Sequence, residues 1–210
     1  MDDPAQALAY ARADFSQPHN HFIELVVRHL GPELHGSVLD LGCGPGDICR
    51  RFALRFPGCR IHGVDASAAM LELAKADTGA VALDERIAYF LERLPHALLP
   101  LQHYDTLISN SLLHHLAQSA SLWESVLRFG RTGSRVFVMD LLRPESRAQA
   151  ERLQEEYAAG EPALLQKDFL NSLLAAYRPD EVREQLLQHG LDQLRVEVAS
   201  DRHFIVYGVL

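Results

Sequence analysis

Lysine is almost missing from this chain of 210 residues. Lys75 and Lys167 are its only two; arginine supplies the rest of its 20 cationic side chains, and the formal net charge is −8. There is no basic run. Without clustered cations to neutralise phosphates, nucleic acid is not the expected partner. Arg50, Arg51 and Arg55 crowd together, but on a predicted amphipathic helix they read as its solvated face. Cysteine is scarce as well. Cys43, Cys49 and Cys59 are odd in number and close in sequence, which excludes a disulfide framework, and no two are spaced as in a zinc site. No window approaches about 18 uninterrupted apolar residues, so no membrane span is expected. Met1-Asp2-Asp3-Pro4 lacks the basic and apolar regions of a secretory signal. Reduced thiols in a cytoplasmic protein are the expectation.

What the chain does have is apolar content, 48% of its residues, enough for the core of one globular domain spanning 1–210. Helical spacing predicts helices over 4–14 and 18–30, the second burying Ile23, Val26, Val27 and Leu30. Strands follow at 37–41, 60–64, 86–91, 104–109 and 134–140. They alternate with helices at 46–56, 68–76 (N-capped by Ser67) and 119–129. That alternation implies an α/β fold, a parallel sheet with helices on both faces. After Pro144 the pattern changes to two polar-faced helices, 145–159 and 162–177, then a helix at 179–189 stopped by Gly190. Strands 193–199 and 203–209 are joined too tightly for a crossover and form an antiparallel hairpin.

One stretch carries chemistry. Val38-Leu39-Asp40-Leu41-Gly42-Cys43-Gly44-Pro45-Gly46 is an apolar strand running into alternating glycines. Such a turn needs unusual backbone angles and lets a ligand approach the main chain with no Cβ in the way. Ile61-His62-Gly63-Val64-Asp65 then ends in an acid at the distance where doubly wound folds meet ribose hydroxyls. An adenosine-containing cofactor is implied. Nicotinamide dinucleotides want Gly-x-Gly-x-x-Gly around a pyrophosphate, whereas here Asp40 lies beside a Gly-x-Gly-x-Gly loop. A carboxylate there suits a cation, and S-adenosylmethionine carries a sulfonium and an ammonium group and no phosphate.

Asp40 to Gly46 resembles the first motif of the class I S-adenosylmethionine-dependent methyltransferases. Ile61 to Asp65 resembles their second motif, and Tyr104-Asp105-Thr106-Leu107-Ile108-Ser109-Asn110 to His115 their fourth. The resemblance covers residues 35–140 and, in outline, the terminal hairpin. It implies a Rossmann-like doubly wound sheet of seven strands in the order 3-2-1-4-5-7-6 with strand 7 antiparallel. N-terminal helices and a helical insertion after strand 5 complete it. It further implies that S-adenosyl-L-methionine is bound and leaves as S-adenosyl-L-homocysteine. Gly42, Cys43, Gly44 and Gly46 would line its methionine part, with Asp40 on the ammonium and Asp65 on the ribose. Ala66 and Met70 would lie near the adenine, and Asn110 near the ammonium and methyl. Many members place an acid at the end of the third strand; here Phe90 and Leu91 stand there, with Glu92 a step later, leaving Leu91 to pack on the adenine. Each position also has a plain structural reading: Asp65 as a strand-end cap, Asp40 as a turn-stabilising acid, Met70 as core, Asn110 as a helix cap.

Methyl transfer needs alignment and exclusion of water, and a base only where the attacking group is protonated. His114 and Asp140 are the expected catalytic residues, with His115, His19 and His21 behind them. Adjacent residues of a helix point about 100° apart, so at most one of His114 and His115 should face the cavity. No metal is expected, because Asp140 and Asp105 are too few acids for a metal-assisted site. The N-terminal helices (1–34) and the 145–177 insertion, with Tyr10, Phe15, Tyr157, Phe169, Asn171 and Tyr177, should cover a closed cavity, which points to a small-molecule acceptor. The Asn/Asp-Pro-Pro-aromatic motif of base and glutamine methyltransferases is replaced by Ser109-Asn110-Ser111-Leu112. Transfer to RNA or a protein side chain, and a non-catalytic cofactor-binding partner subunit, are the alternatives; a dehydrogenase is a distant one. The sequence leaves homo-oligomerisation open.

Overall fold

The computed structural model describes residues 12–210 together with Leu8 and Tyr10; most of the helix expected over 4–14 lies outside the described residues. Seven strands form one sheet: β1 (Gly36–Leu41), β2 (Cys59–Asp65), β3 (Ile87–Leu91), β4 (Thr106–Asn110), β5 (Arg135–Leu141), β6 (Arg195–Val198) and β7 (His203–Val209). Their order is β3-β2-β1-β4-β5-β7-β6. Pairing is parallel from β3 through β5, and β7 runs antiparallel between β5 and β6. This is the expected topology. It brings the carboxyl ends of β1, β4 and β5 to one edge, where β1 and β4 diverge to their neighbours.

The strand side chains divide by parity, as a pleat requires. Val38, Ile108, Phe137 and Met139 face one layer, with Phe22 and Val26 of α1 (Ser16–Leu30), Phe52 of α2 (Asp47–Arg55) and Leu71 of α3 (Ala68–Ala80). Leu39, Leu41, Leu107, Val136 and Val138 face the other, with Trp123 and Val126 of α4 (Ala120–Phe129) and Leu186 of α7 (Pro179–Gln188). A sheet buried on both faces cannot alternate apolar with polar, which is why Val136 to Met139 of β5 are apolar without a break.

The inserted helices α5 (Arg147–Ala158) and α6 (Ala163–Ala175) pack mainly on each other around Leu153 and Leu173, against Leu141 at the end of β5. Boundaries shift in small ways. α1 starts before Pro18, which its first turn accommodates because the missing N–H has no helical partner there. Ser67 caps α3, accepting from the Met70 N–H at 3.3 Å, but the helix runs on to Ala80 because Gly79 does not break it. β6 begins later than expected, since Leu191 and Leu194 turn into the core first. Among the described residues no helix is long and apolar enough to cross a membrane.

Candidate active site

The glycine loop leaves β1 with Gly42, Gly44 and Gly46 at φ of 74°, 52° and 75°, all in the left-handed region that disfavours a Cβ. Gly42 and Cys43 donate to the Val64 carbonyl at 2.9 and 3.1 Å, pinning the loop to β2. A side chain at Gly46 would run into the Tyr89 hydroxyl, whereas one at Gly44 would meet nothing within 4 Å. Gly44 is therefore kept bare at an open face. Asp65, at the end of β2, accepts the Gly44 N–H on Oδ2 at 2.9 Å and the Ser67 N–H on Oδ1 at 2.8 Å. These two bonds fix the carboxylate beside the loop. Ala66 is exposed next to it and Leu91 is exposed opposite it in the β2–β3 register. Met70 is buried.

Asp40 points behind the loop. It is fully buried and accepts from Cys49 Sγ at 3.1 Å; burial pushes its carboxyl up to about 7. Cys43 is buried there too, its thiol raised by the same desolvation. Asn110 closes β4, and its Oδ1 is buried with no hydrogen-bond partner among the described residues. A buried acceptor left unmet costs stability unless a ligand supplies a donor. The bare face at Gly44, the fixed carboxylate of Asp65 and this unmet oxygen fit a ligand with sugar hydroxyls and an ammonium group.

Beyond Asn110 lies a cavity of about 710 Å³. Its floor is Ser111, His114 and His115 after β4, with Met139 and Leu141 of β5. Tyr10, Phe15 and His19 come from the N-terminal side, and Tyr157, Leu165, Phe169 and Asn171 from the inserted helices. Ser111 has φ 55°, a left-handed conformation that costs a non-glycine residue about 1–2 kcal/mol, and its N–H is held by the Met139 carbonyl at 2.9 Å.

His114 Nδ1 lies 2.5 Å from Asp140 Oδ1, with the two side chains 2% and 1% exposed. Asp140 also accepts the Leu113 N–H at 2.7 Å and the Leu141 N–H at 2.8 Å. The pair is thus fixed from three sides, with Nε2 left as the histidine's second polar atom. Contrary to the expectation of one inward histidine, His115 lines the cavity as well, its ring 4.0 Å from that of His114. The two sit on an isolated 3₁₀ turn, Leu113–His115, rather than on a packed α-helix with a hidden side. Burial and then the His114 charge push His115 down to about 4.

Tyr10 lines the cavity with its ring 4.7 Å from that of Phe15, and burial, then Asp140, Asp65 and Asp47, push its phenol up to about 12. Arg202, in the β6–β7 turn, and His203, the first residue of β7, line the cavity without having been foreseen. Burial lowers His203 to about 4, and the Arg202 guanidinium lies 3.3 Å from the Tyr157 ring centre. Of the remaining sequence candidates, His21 pairs with Glu24 at 3.8 Å outside the cavity lining, and Tyr177 packs into the core on the Trp123 side of the sheet.

Known proteins bear on this arrangement. The family described as "Methyltransferase domain" matches residues 33–189. The chain is 37% identical over 114 residues to the trans-aconitate 2-methyltransferase of Streptomyces avermitilis, an alignment covering 53% of this chain and 40% of that protein. It is 41% identical over 85 residues to the ribosomal protein uL3 glutamine methyltransferase of Burkholderia pseudomallei, covering 38% and 28%. The chain thus spans less than half the length of these curated relatives. A crystal structure of an S-adenosylmethionine-dependent methyltransferase from Aquifex aeolicus superimposes with a TM-score of 0.70 at 19% identity, covering 98% of this chain and 97% of that one. With the family matched over three quarters of its length and the strand order in place, this chain belongs to the class I S-adenosylmethionine-dependent methyltransferases.

Proposed function

We propose that the protein transfers a methyl group from S-adenosylmethionine to a hydroxyl of a small organic acceptor held in the cavity. The observation that carries this reading is the buried His114–Asp140 pair, 2.5 Å apart, whose histidine lines the cavity along with Asn110. When bound, the cofactor supplies an electrophilic methyl on a sulfonium and leaves as S-adenosylhomocysteine. Gly42, Cys43, Gly44 and Gly46 line its methionine part, and Asp65 takes the ribose hydroxyls. Ala66, Met70 and Leu91 flank the adenine, and Asn110 Oδ1 accepts from the ammonium, with Asp40, its carboxyl raised by burial, behind the loop. His114 Nε2 removes the acceptor's proton while Asp140 holds Nδ1–H and stabilises the imidazolium that forms. The inserted helices, 145–177, and the N-terminal segment are read as the lid that excludes water and chooses the acceptor.

The cavity's charges refine the acceptor. The curated relatives include enzymes named for trans-aconitate, a tricarboxylate. Here Arg202, already paired with Asp201 at 3.0 Å, shares the lining with Asp14, Glu161 and Asp168. His115 and His203, both near 4, are uncharged at neutral pH. That balance opposes a trianion and favours a neutral or singly charged hydroxyl compound with an apolar body against Phe15 and Phe169. Calorimetry with S-adenosylmethionine, S-adenosylhomocysteine and NAD tests the cofactor; heat with the first two and none with NAD is expected. Labelled-methyl assays then compare phenols, aliphatic alcohols, trans-aconitate and RNA. Transfer to trans-aconitate or RNA with none to a hydroxyl compound would overturn the acceptor reading.

A further inference from the structure

The inserted helices meet the rest of the molecule at two places of different character. One is a neck at their base. The Arg143 N–H donates to the Tyr177 carbonyl at 3.1 Å, and Arg143 Nε donates to the Ala176 carbonyl at 2.7 Å. The same guanidinium pairs with Glu181 of α7, and Leu142 bridges to Tyr177 beside it. Above the neck the attachment is thin. Among the described residues, none of α5 or α6 belongs to either apolar layer flanking the sheet. Leu153 and Leu173 pack on each other, and Leu141 is the one residue of the sheet in their cluster.

The second place is where α5 and α6 are joined, separated from the neck by the 13 residues of α6, a length of about 20 Å. Tyr157, in the last turn of α5, donates its hydroxyl to Asp201 Oδ2 at 2.8 Å. Arg202 donates to Asp201 Oδ1 at 3.0 Å and lays its guanidinium 3.3 Å from the Tyr157 ring centre. Each of these three side chains therefore touches the other two. The turn that carries Asp201 and Arg202 is firm, because the Arg202 carbonyl accepts the Leu142 N–H at 2.8 Å. Asp201 answers the arginine's charge, so the group is a fastening rather than a counter-ion for an anionic acceptor. Tyr157 and Arg202 both line the cavity, while Tyr157 is 37% exposed. Polar contacts at a solvent-facing edge hold an element in place yet break readily in thermal opening.

We propose that Tyr157, Asp201 and Arg202 form the latch of a hinged lid: α5 and α6 lift about the Arg143–Tyr177 neck to admit the acceptor, and the latch re-forms over it. This rests on the reading of 145–177 as the cover of an acceptor cavity. The β6–β7 turn is then the fixed catch of the lid.

Thiol labelling tests this without donor or acceptor. Leu165, on the cavity side of α6, is 9% exposed, so a cysteine placed there by Leu165→Cys reacts with iodoacetamide chiefly when the lid lifts. The three native cysteines are buried. Tyr157→Phe keeps the ring on the guanidinium and removes the hydroxyl bond; Asp201→Asn removes the carboxylate charge. Added to Leu165→Cys, each should speed labelling about 10-fold, the worth of one charge-assisted hydrogen bond. Arg147→Ala, which breaks the 2.9 Å Arg147–Glu151 pair within α5, should change the rate less than about 2-fold. Hydrogen exchange in β1, β4 and β5 should be unaltered throughout. Unchanged labelling, an equal rise with Arg147→Ala, or a matching rise in exchange across the sheet would overturn the proposal. Failure of the methyltransferase reading looks different: the labelling pattern would stand, and neither S-adenosylmethionine nor S-adenosylhomocysteine would give heat.

Discussion

The glycine-loop side of the site and its cavity side are built in opposite ways. The first is local and largely main chain. Residues 40–46 and 63–67 suffice to make it, and its fixed points are backbone N–H groups on Val64 and Asp65. The second is assembled from side chains far apart in the sequence: Tyr10, His19, His114, Phe169 and His203, with Asp140 buried behind His114. A backbone cradle tolerates little change in shape but makes few demands on side-chain identity. A side-chain cavity is the reverse, which is how one fold serves many acceptors.

Four substitutions sharpen that contrast. His114→Ala should have the largest effect on turnover, about 10²–10⁴-fold in kcat, with donor affinity by calorimetry within about 3-fold of the unsubstituted protein. A matched loss of donor binding would mean that the cavity and loop are not separable. Gly44→Val should do the converse. Its side chain enters open space, so melting falls by no more than the left-handed strain of about 1–2 kcal/mol, while donor affinity drops about 100-fold. Undiminished affinity would remove the loop from the donor site.

Asp65→Asn should weaken donor binding about 10-fold or more by removing the charge that strengthens its hydrogen bonds to the sugar, with S-adenosylhomocysteine affected equally. Asp40 offers a test by pH. Its folded value, about 7, lies above the ordinary 3.8, so the folded chain keeps a proton that the unfolded chain releases. Its contribution to stability is complete below about pH 4 and lost as pH rises through about 7. Asp40→Asn should flatten that slope, by about 1–4 kcal/mol at the alkaline end, in denaturant melts across pH. An unchanged slope would mean that Asp40 is ionised in the folded chain.

The two sides also differed in how far the sequence disclosed them. The loop and Asp65 were legible because glycine spacing and a strand-terminal acid are local patterns. So were the strands and the antiparallel terminal hairpin, since apolar runs and a connection too short for a crossover leave few arrangements, while the strand order with β7 antiparallel was what the family resemblance implied. Asp140 and His114 were legible as candidates, but not their 2.5 Å contact, which depends on β4 and β5 being neighbours. His115 was misjudged because a 3₁₀ turn replaced a helix. Arg202 carried no pattern, His203 read only as the start of a strand, and Tyr177 looked like a cavity residue until it proved to lie past the end of α6, bridged to Leu142.

By itself, then, the order of residues determined the sheet, the bare loop and the acid beside it, because each depends on backbone angles and alternation within a few positions. Tertiary structure alone decided that Asp47 meets His19, that Asp40 faces Cys49, and that a hairpin arginine enters the cavity. Those contacts join residues brought together by packing across the sheet edge, and a separation along the chain carries no record of a distance in space.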